Sequence, residues 1–268
     1  MKNSIFENKG IATPVSLSFL IFSFTILTVA TYYVAMSSVS TKMSRLNCAA
    51  AKQDMLTLEN AIRYVSWSPG ASLIKEFQGY GREFETKPED RRLIINVTMG
   101  STSEIVFNST IGYVRYELPA ADLGQVGWYL RGSPTPIINQ SFLDTAQMFI
   151  RVGNDCQEIY LGYRPLAISF LDSSQNSQLN IIRIFIINLN SSEDLLFTGG
   201  FRLRIRCINV TSQTGTYNIS SSISYANIKV TIDGNEGAVH LPLSNNGAFT
   251  LVRLEILVCN VKIEEVNI

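Results

Sequence analysis

The chain has 268 residues, with 22 Lys and Arg balanced by 22 Asp and Glu for a formal net charge of zero. Charged residues make up only 16% of it, so there is no basic field to hold nucleic acid. The apolar fraction of 46% supplies ample material for a core, and the length allows an anchor plus either one large domain or two small ones.

The first ten residues, MKNSIFENKG, are polar and end in Lys9-Gly10. An apolar run then extends from Ile11 to Ser40, with no charged residue between Lys9 and Lys42. A hydrocarbon core of about 30 Å needs about 20 apolar residues to cross it, and Val15 to Met36 supplies them. A cleaved secretory signal has an apolar core of only about 7 to 15 residues. The run therefore reads as a retained single-pass anchor, with the lipid bilayer as its partner.

From Lys42 the chain turns polar but keeps a helical stripe. Cys48, Ala51, Met55, Leu58, Ile62 and Val65 alternate in spacings of three and four, which sets them on one helix face. Ser66-Trp67-Ser68-Pro69-Gly70 ends the pattern, because a residue before proline avoids the helical region. One helix from Pro14 to Tyr64 is predicted, about 75 Å long at 1.5 Å per residue.

This arrangement resembles the type IV pilin family, in particular archaeal pilin-like and pseudopilin-like proteins. The resemblance is carried by the short leader ending in Lys9-Gly10, by Ile11 as the start of a mature chain, by the uncharged helix and by its amphipathic continuation. It implies cleavage between Gly10 and Ile11 by a prepilin-type peptidase, and other pilin-like subunits as partners. Val15 stands where bacterial members carry Glu, and Thr13-Pro14-Val15 stands in place of a Ser-Pro-Val run shifted by one residue. The missing acid removes one device for registering subunits in a filament, so the resemblance implies a minor or non-polymerising component over a major filament subunit.

Lys2 and Lys9 precede the span while Lys42, Arg45 and Lys52 follow it, so positive charge gives no vote on orientation. Acceptor sequons begin at Asn96, Asn108, Asn139, Asn190, Asn209 and Asn218, all after the span, which favours an extracytoplasmic body. Of these, Asn139 lies in a Pro- and Ser-containing loop. Asn209 shares the parity of Cys207 and is accessible only if the strand has ended.

The body reads as strands. Phe201 to Cys207 alternates strictly, with three arginines on a wet face, and Ala226 to Ile232 alternates before the turn pair Asp233-Gly234. Further strands are predicted at 93–99, 104–107, 113–118, 127–131, 148–152, 158–163, 166–171, 181–189 and 251–263, separated by Gly, Pro and Asn turn signals. The expected class is α+β: a long N-terminal transmembrane and amphipathic helix followed by a mainly antiparallel β-sandwich, as one large or two small β units. The organisation expected is a leader over 1–10, a helix over 11–68, and β units over 71–171 and 178–268, with Asp172 to Ser177 between them.

The four cysteines, Cys48, Cys156, Cys207 and Cys259, allow three connectivities. Pairing Cys48 with Cys156 and Cys207 with Cys259 would tie the helix to the body and join two buried strand faces. Four buried free thiols are the alternative.

Motifs for catalysis, metal binding or a cofactor are missing from the sequence. His240 is the one histidine and reads as a structural or surface residue. Glu89-Asp90 and Glu264-Glu265 are neighbours on a strand and point to opposite faces, so they cannot flank one bond. Tyr113, Tyr116, Trp128 and Tyr129 could form a sugar platform, though core packing is the simpler role. Two functions follow: a non-catalytic pilin-like surface protein, or a tethered binding module for a glycan, a peptide or a surface layer.

Overall fold

A computed structural model describes residues 12–118, 127–139, 145–152, 156–174, 177–220, 222–245 and 249–266. The chain divides into two compact units, Met1–Leu46 and Asn47–Ile268. Helix α1 spans Ala12–Val65, close to the predicted bounds. It ends where Trp67 takes a left-handed φ of 68° and Gly70 one of 86°, while Ser66 returns both its N–H and its hydroxyl to the carbonyl of Ile62.

The remaining elements are strands: β1 (Ser72–Phe77), β2 (Phe84–Met99), β3 (Thr102–Glu117), β4 (Tyr129–Arg131), β5 (Ala146–Val152), β6 (Gln157–Tyr163) and β7 (Leu166–Ser174). They continue with β8 (Ser177–Asn188), β9 (Leu195–Phe197), β10 (Phe201–Ser220), β11 (Tyr225–Ile232), β12 (Asn235–Pro242) and β13 (Phe249–Glu265). One sheet runs β1-β10-β13-β8-β7, the other β12-β11-β2-β3-β6-β5-β4, with β9 beside β2. Pairing is antiparallel except between β13 and β8. The fold is α+β, a long helix followed by a mainly antiparallel body.

The predicted split at Asp172 to Ser177 is corrected by the topology. Asp172 to Ser174 end β7 and Ser177 begins β8, and the ladder between these strands reaches Ser174 opposite Ser177. Strands from both halves of the sequence share each sheet: β1 pairs β10, and β2 pairs β11 and β9. The interior divides along the strands instead. One core gathers the helix stripe with Phe84, Tyr116, Leu203, Ile205, Val261 and Ile263. The other gathers Leu93, Ile95, Ile228, Val230, Val252 and Leu254, with no helix residue. Strands β2, β3, β8, β10 and β13 contribute to both.

Two irregularities in the ladders fall between the two cores, and another, between Ile95 and Asn96 in the β2–β3 ladder, falls within the second. The β2–β3 register shifts between Lys87 and Arg91, and the β10–β13 register between Cys207 and Asn209. Between Lys87 and Arg91 the residues Pro88, Glu89 and Asp90 stand outside the ladder opposite Gly112, which explains how Pro88 is tolerated inside β2 although it cannot donate to a ladder. The strand expected from Leu93 begins earlier, at Phe84, and the two strands expected at 104–107 and 113–118 are one, β3. Strands β1 and β9 and the second half of β10 lie outside the predicted strands, being short or polar, while Gly237 to His240, which read as a strand edge, belong to β12.

Local chemistry accounts for what was legible. Leu203, Ile205 and Cys207 are buried, while Arg202, Arg204 and Arg206 face outward and pair with Glu76 and Glu264. The β11–β12 turn is the two-residue type that needs two positive φ angles. Asp233 has φ 49° and Gly234 φ 82°.

Candidate functional site

The apolar half of α1 is the first candidate. Every large hydrophobic residue from Val15 to Val39 is 49% to 76% exposed, and this helix is long and apolar enough to cross a membrane. The polar atoms within it are largely accounted for by the helix itself. The hydroxyls of Ser23, Thr25, Thr28 and Thr31 donate to the carbonyls of Leu20, Ile21, Phe24 and Leu27 at 2.7–3.0 Å. Hydrocarbon penalises any polar group without a partner, so this back-bonding makes these hydroxyls compatible with lipid.

From Cys48 the character of the same helix changes. Cys48, Ala51, Met55, Leu58, Ile62 and Val65 are all buried in the core of the second unit, as the stripe predicted. Glu59 is buried beside them at 1% exposure, its carboxylate 4.0 Å from Arg63 and 3.8 Å from Arg131. Burial pushes its pKa up and the two guanidinium groups oppose that push. The neighbouring Tyr163 phenol is held well above its ordinary range by burial, with Glu59 adding to it.

The expected cysteine pairs are not bonded, and all four cysteines are free thiols. The sulfurs of Cys207 and Cys259 nevertheless lie 3.6 Å apart. Cys207 stands opposite Val261, and Cys259 opposite Val210, so the two thiols are diagonal neighbours across the bulge. Cys48 belongs to the helix stripe. Cys156 precedes β6 beside Glu117, where burial first and that carboxylate second push its thiol up.

Gly10 and Ile11 lie outside the described residues. Asn96 and Asn108 sit on β2 and β3, and Asn209 and Asn218 on β10; Asn139 follows the bridge between Ile138 and Leu166, and Asn190 follows β8. Asn108, Asn139, Asn209 and Asn218 are exposed, whereas Asn96 and Asn190 are half-buried. The parity rule failed for Asn209. The strand continues past it, and the bulge after Cys207 resets the alternation so that Asn209 faces outward and accepts a 2.7 Å bond from Asn260.

The aromatic group does not form an open platform. Tyr116 is buried on Phe84, Tyr113 stacks on Tyr160 at 4.7 Å, and Tyr129 lies against Phe149 at 5.2 Å. Arg91 and Arg151 roof Tyr160 at 5.2 and 5.0 Å. Trp128 is 65% exposed. Glu264 lies on β13, ion-paired to Lys262, Arg204 and Arg206. Asp90 lies at the β2 irregularity and accepts from Tyr113.

Two clusters were not anticipated. Arg164, 2% exposed, donates from one nitrogen to the carbonyl and hydroxyl oxygens of Ser133 and Thr135. It lines a cavity of about 430 Å³ with Ile137 and Val239. Sequence offers little signal for it, since an arginine between two strands usually faces water. The second is a polar row across β12, β11, β2 and β3, where His240 stands opposite Asn227, Asn227 opposite Thr98, and Thr98 opposite Ser103. Tyr225 meets His240 edge-on at 5.4 Å, and His240, Asn227, Thr98 and Tyr225 line a cavity of about 310 Å³. Hydrogen-bonding side chains beside a half-exposed aromatic ring suit a neutral polyhydroxylated ligand. Among the described residues, no group of three His, Cys, Asp or Glu is placed to hold a metal ion.

Compared with known protein families, with curated proteins and with solved structures, the chain matches none.

Proposed function

We propose that the protein is a non-catalytic, single-pass membrane protein of pilin-like design, with its β body on the extracytoplasmic side. The observation that supports this reading is a single uninterrupted helix with two characters. It is apolar and exposed all round through Val39, and from Cys48 it is buried along one stripe in the core of the body. A helix hydrophobic on every side needs lipid or other helices around it. An uncharged helix with an amphipathic continuation is what carries the pilin resemblance, which covers about the first 65 residues.

In this reading a prepilin-type peptidase removes Met1 to Gly10. N-terminal sequencing of the membrane-extracted protein tests it. A mature chain beginning at Ile11, with processing blocked in Gly10→Phe, is the expected result, and retention of the leader in both chains overturns the pilin-like assignment. Protease added to intact cells tests the orientation, and digestion of the body is expected.

A second reading, a tethered glycan- or peptide-binding module, is favoured by the polar row from His240 to Ser103 and its cavity. An intact N-terminus supports this reading over the first, and a mature chain beginning at Ile11 supports the first. Its own test is the loss of binding to an immobilised glycan panel in His240→Ala and Tyr225→Ala.

A further inference from the structure

We infer that the free edge of β10, Asn209 to Ser220, is an interaction surface that pairs antiparallel with the same edge of a second copy of this chain. On one side β10 is laddered to β13 as far as Ser220. On its other side β1 pairs only with Phe201 to Arg206, and Gly70 and Ala71 extend that contact to Cys207. Beyond this point no partner occupies the edge among the described residues. At about 3.3 Å per residue, some 40 Å of strand presents unpaired N–H and C=O groups.

Natural edges are protected by shortness, charge, proline or a covering segment; the terminal strands of both sheets carry such devices, and the part of β3 that β6 leaves unpaired, Thr102 to Tyr113, carries Glu104. β4 spans Tyr129–Arg131 alone. β1 is short and carries Lys75 and Glu76. β12 carries Glu236, paired to Lys229, and ends in Pro242. β7 carries Asp172 and is bridged by Ile138. The segment Asn209 to Ser220, NVTSQTGTYNIS, contains no Asp, Glu, Lys, Arg or Pro. Its side chains at 211–214 are exposed on both faces, leaving room for a neighbour.

The same features indicate the occupant. An uncharged edge offers no charge with which to select a charged peptide, whereas it meets its own reverse without repulsion, and the whole chain has a net charge of zero. A two-fold axis at Thr214 sets Thr214 opposite itself and Ser212 opposite Thr216. Hydroxyl pairs of this kind are favourable across strands, and a two-fold contact closes without further growth. Apolar surface stands beside the edge: Ile208 is 41% exposed, and Ile105, which lines a cavity of about 220 Å³ with Gln213, Thr214 and Gly215, is 58% exposed.

The test uses the full-length chain in nanodiscs, from a host that leaves Asn209 and Asn218 unglycosylated, treated with a short bis-maleimide. Thr214→Cys should give a crosslinked dimer well above the wild-type background, and Lys229→Cys, exposed on β11, should not. Thr214→Lys places like charges opposite each other and should lower the dimer fraction by about tenfold, with an unchanged circular dichroism spectrum reporting an intact fold. Equal crosslinking at positions 214 and 229, an undiminished dimer in Thr214→Lys, or a monomer at every concentration overturns the inference.

Discussion

The sulfurs of Cys207 and Cys259 face each other 3.6 Å apart in the core between β10 and β13, and the backbone N–H of Trp67, just past the end of α1, points at the Cys259 sulfur from 3.3 Å. Three segments far apart in sequence thus converge on one sulfur. Burial pushes the Cys259 thiol up to about 12, which keeps it protonated and slow to react at neutral pH.

Slow oxidation with a disulfide-forming reagent such as diamide is therefore expected to join Cys207 to Cys259 and to leave Cys48 apart. Differential alkylation followed by peptide mass spectrometry reads the linkage. A bond closing this loop should stabilise the body by about 2 to 4 kcal/mol, seen as a higher melting temperature that reductant reverses. Alkylation of both thiols after full oxidation would refute the expectation.

The helix stripe sets a second prediction. Leu58 has no exposed surface and belongs to the core that holds Tyr116 and Ile263, so Leu58→Ala should cost about 2 to 5 kcal/mol. Gln53 is exposed on the same helix, and Gln53→Ala should stay within about 0.5 kcal/mol. Chemical denaturation followed by tryptophan fluorescence separates them.

A third prediction concerns acid. The hydrogen bond from Lys262 holds the Glu264 carboxyl below its ordinary range, with Arg206 and Arg204 assisting against desolvation. A carboxyl whose pKa is lower folded than unfolded adds stability above its unfolded value of about 4.3, and that stability is lost as pH falls through the folded value. Melting temperatures between about pH 6 and pH 2 should fall less steeply in Glu264→Gln than in wild type. Parallel curves would show that the pair contributes nothing.

Gly79 supports a fourth. Its φ is +70°, and a Cβ there would lie 2.1 Å from the backbone carbon of Gly199. Both the dihedral and the close approach exclude a side chain, so Gly79→Ala should destabilise by about 3 kcal/mol or more. Gly127 also has a positive φ of 82° but open space around it, and Gly127→Ala should cost about 1 kcal/mol. Thermal melts of the two variants give the comparison.

What the sequence determined by itself was everything set by local period and local chemistry. The uncharged run to Lys42 defines the apolar helix, the three-and-four spacing from Cys48 to Val65 defines its buried face, and the alternation from Phe201 to Cys207 defines a half-buried strand. Asp233-Gly234 marks a hairpin for the same reason, since a two-residue turn needs residues that accept positive φ. Tertiary structure decided whatever depends on which distant segments meet. The polar residues Asn209 to Ser220 form a strand only because β13 supplies their ladder. The bulge after Cys207 turns Asn209 outward against its parity. Two cores are stacked along shared strands because β2, β3, β8, β10 and β13 are long enough to pass through both, and no composition shift in the sequence marks that division. The row from His240 to Ser103 draws on four strands, two of them more than a hundred residues from the others. Side-chain periodicity is a property of one segment, whereas register and edge exposure belong to pairs of segments and arise only when the sheets assemble.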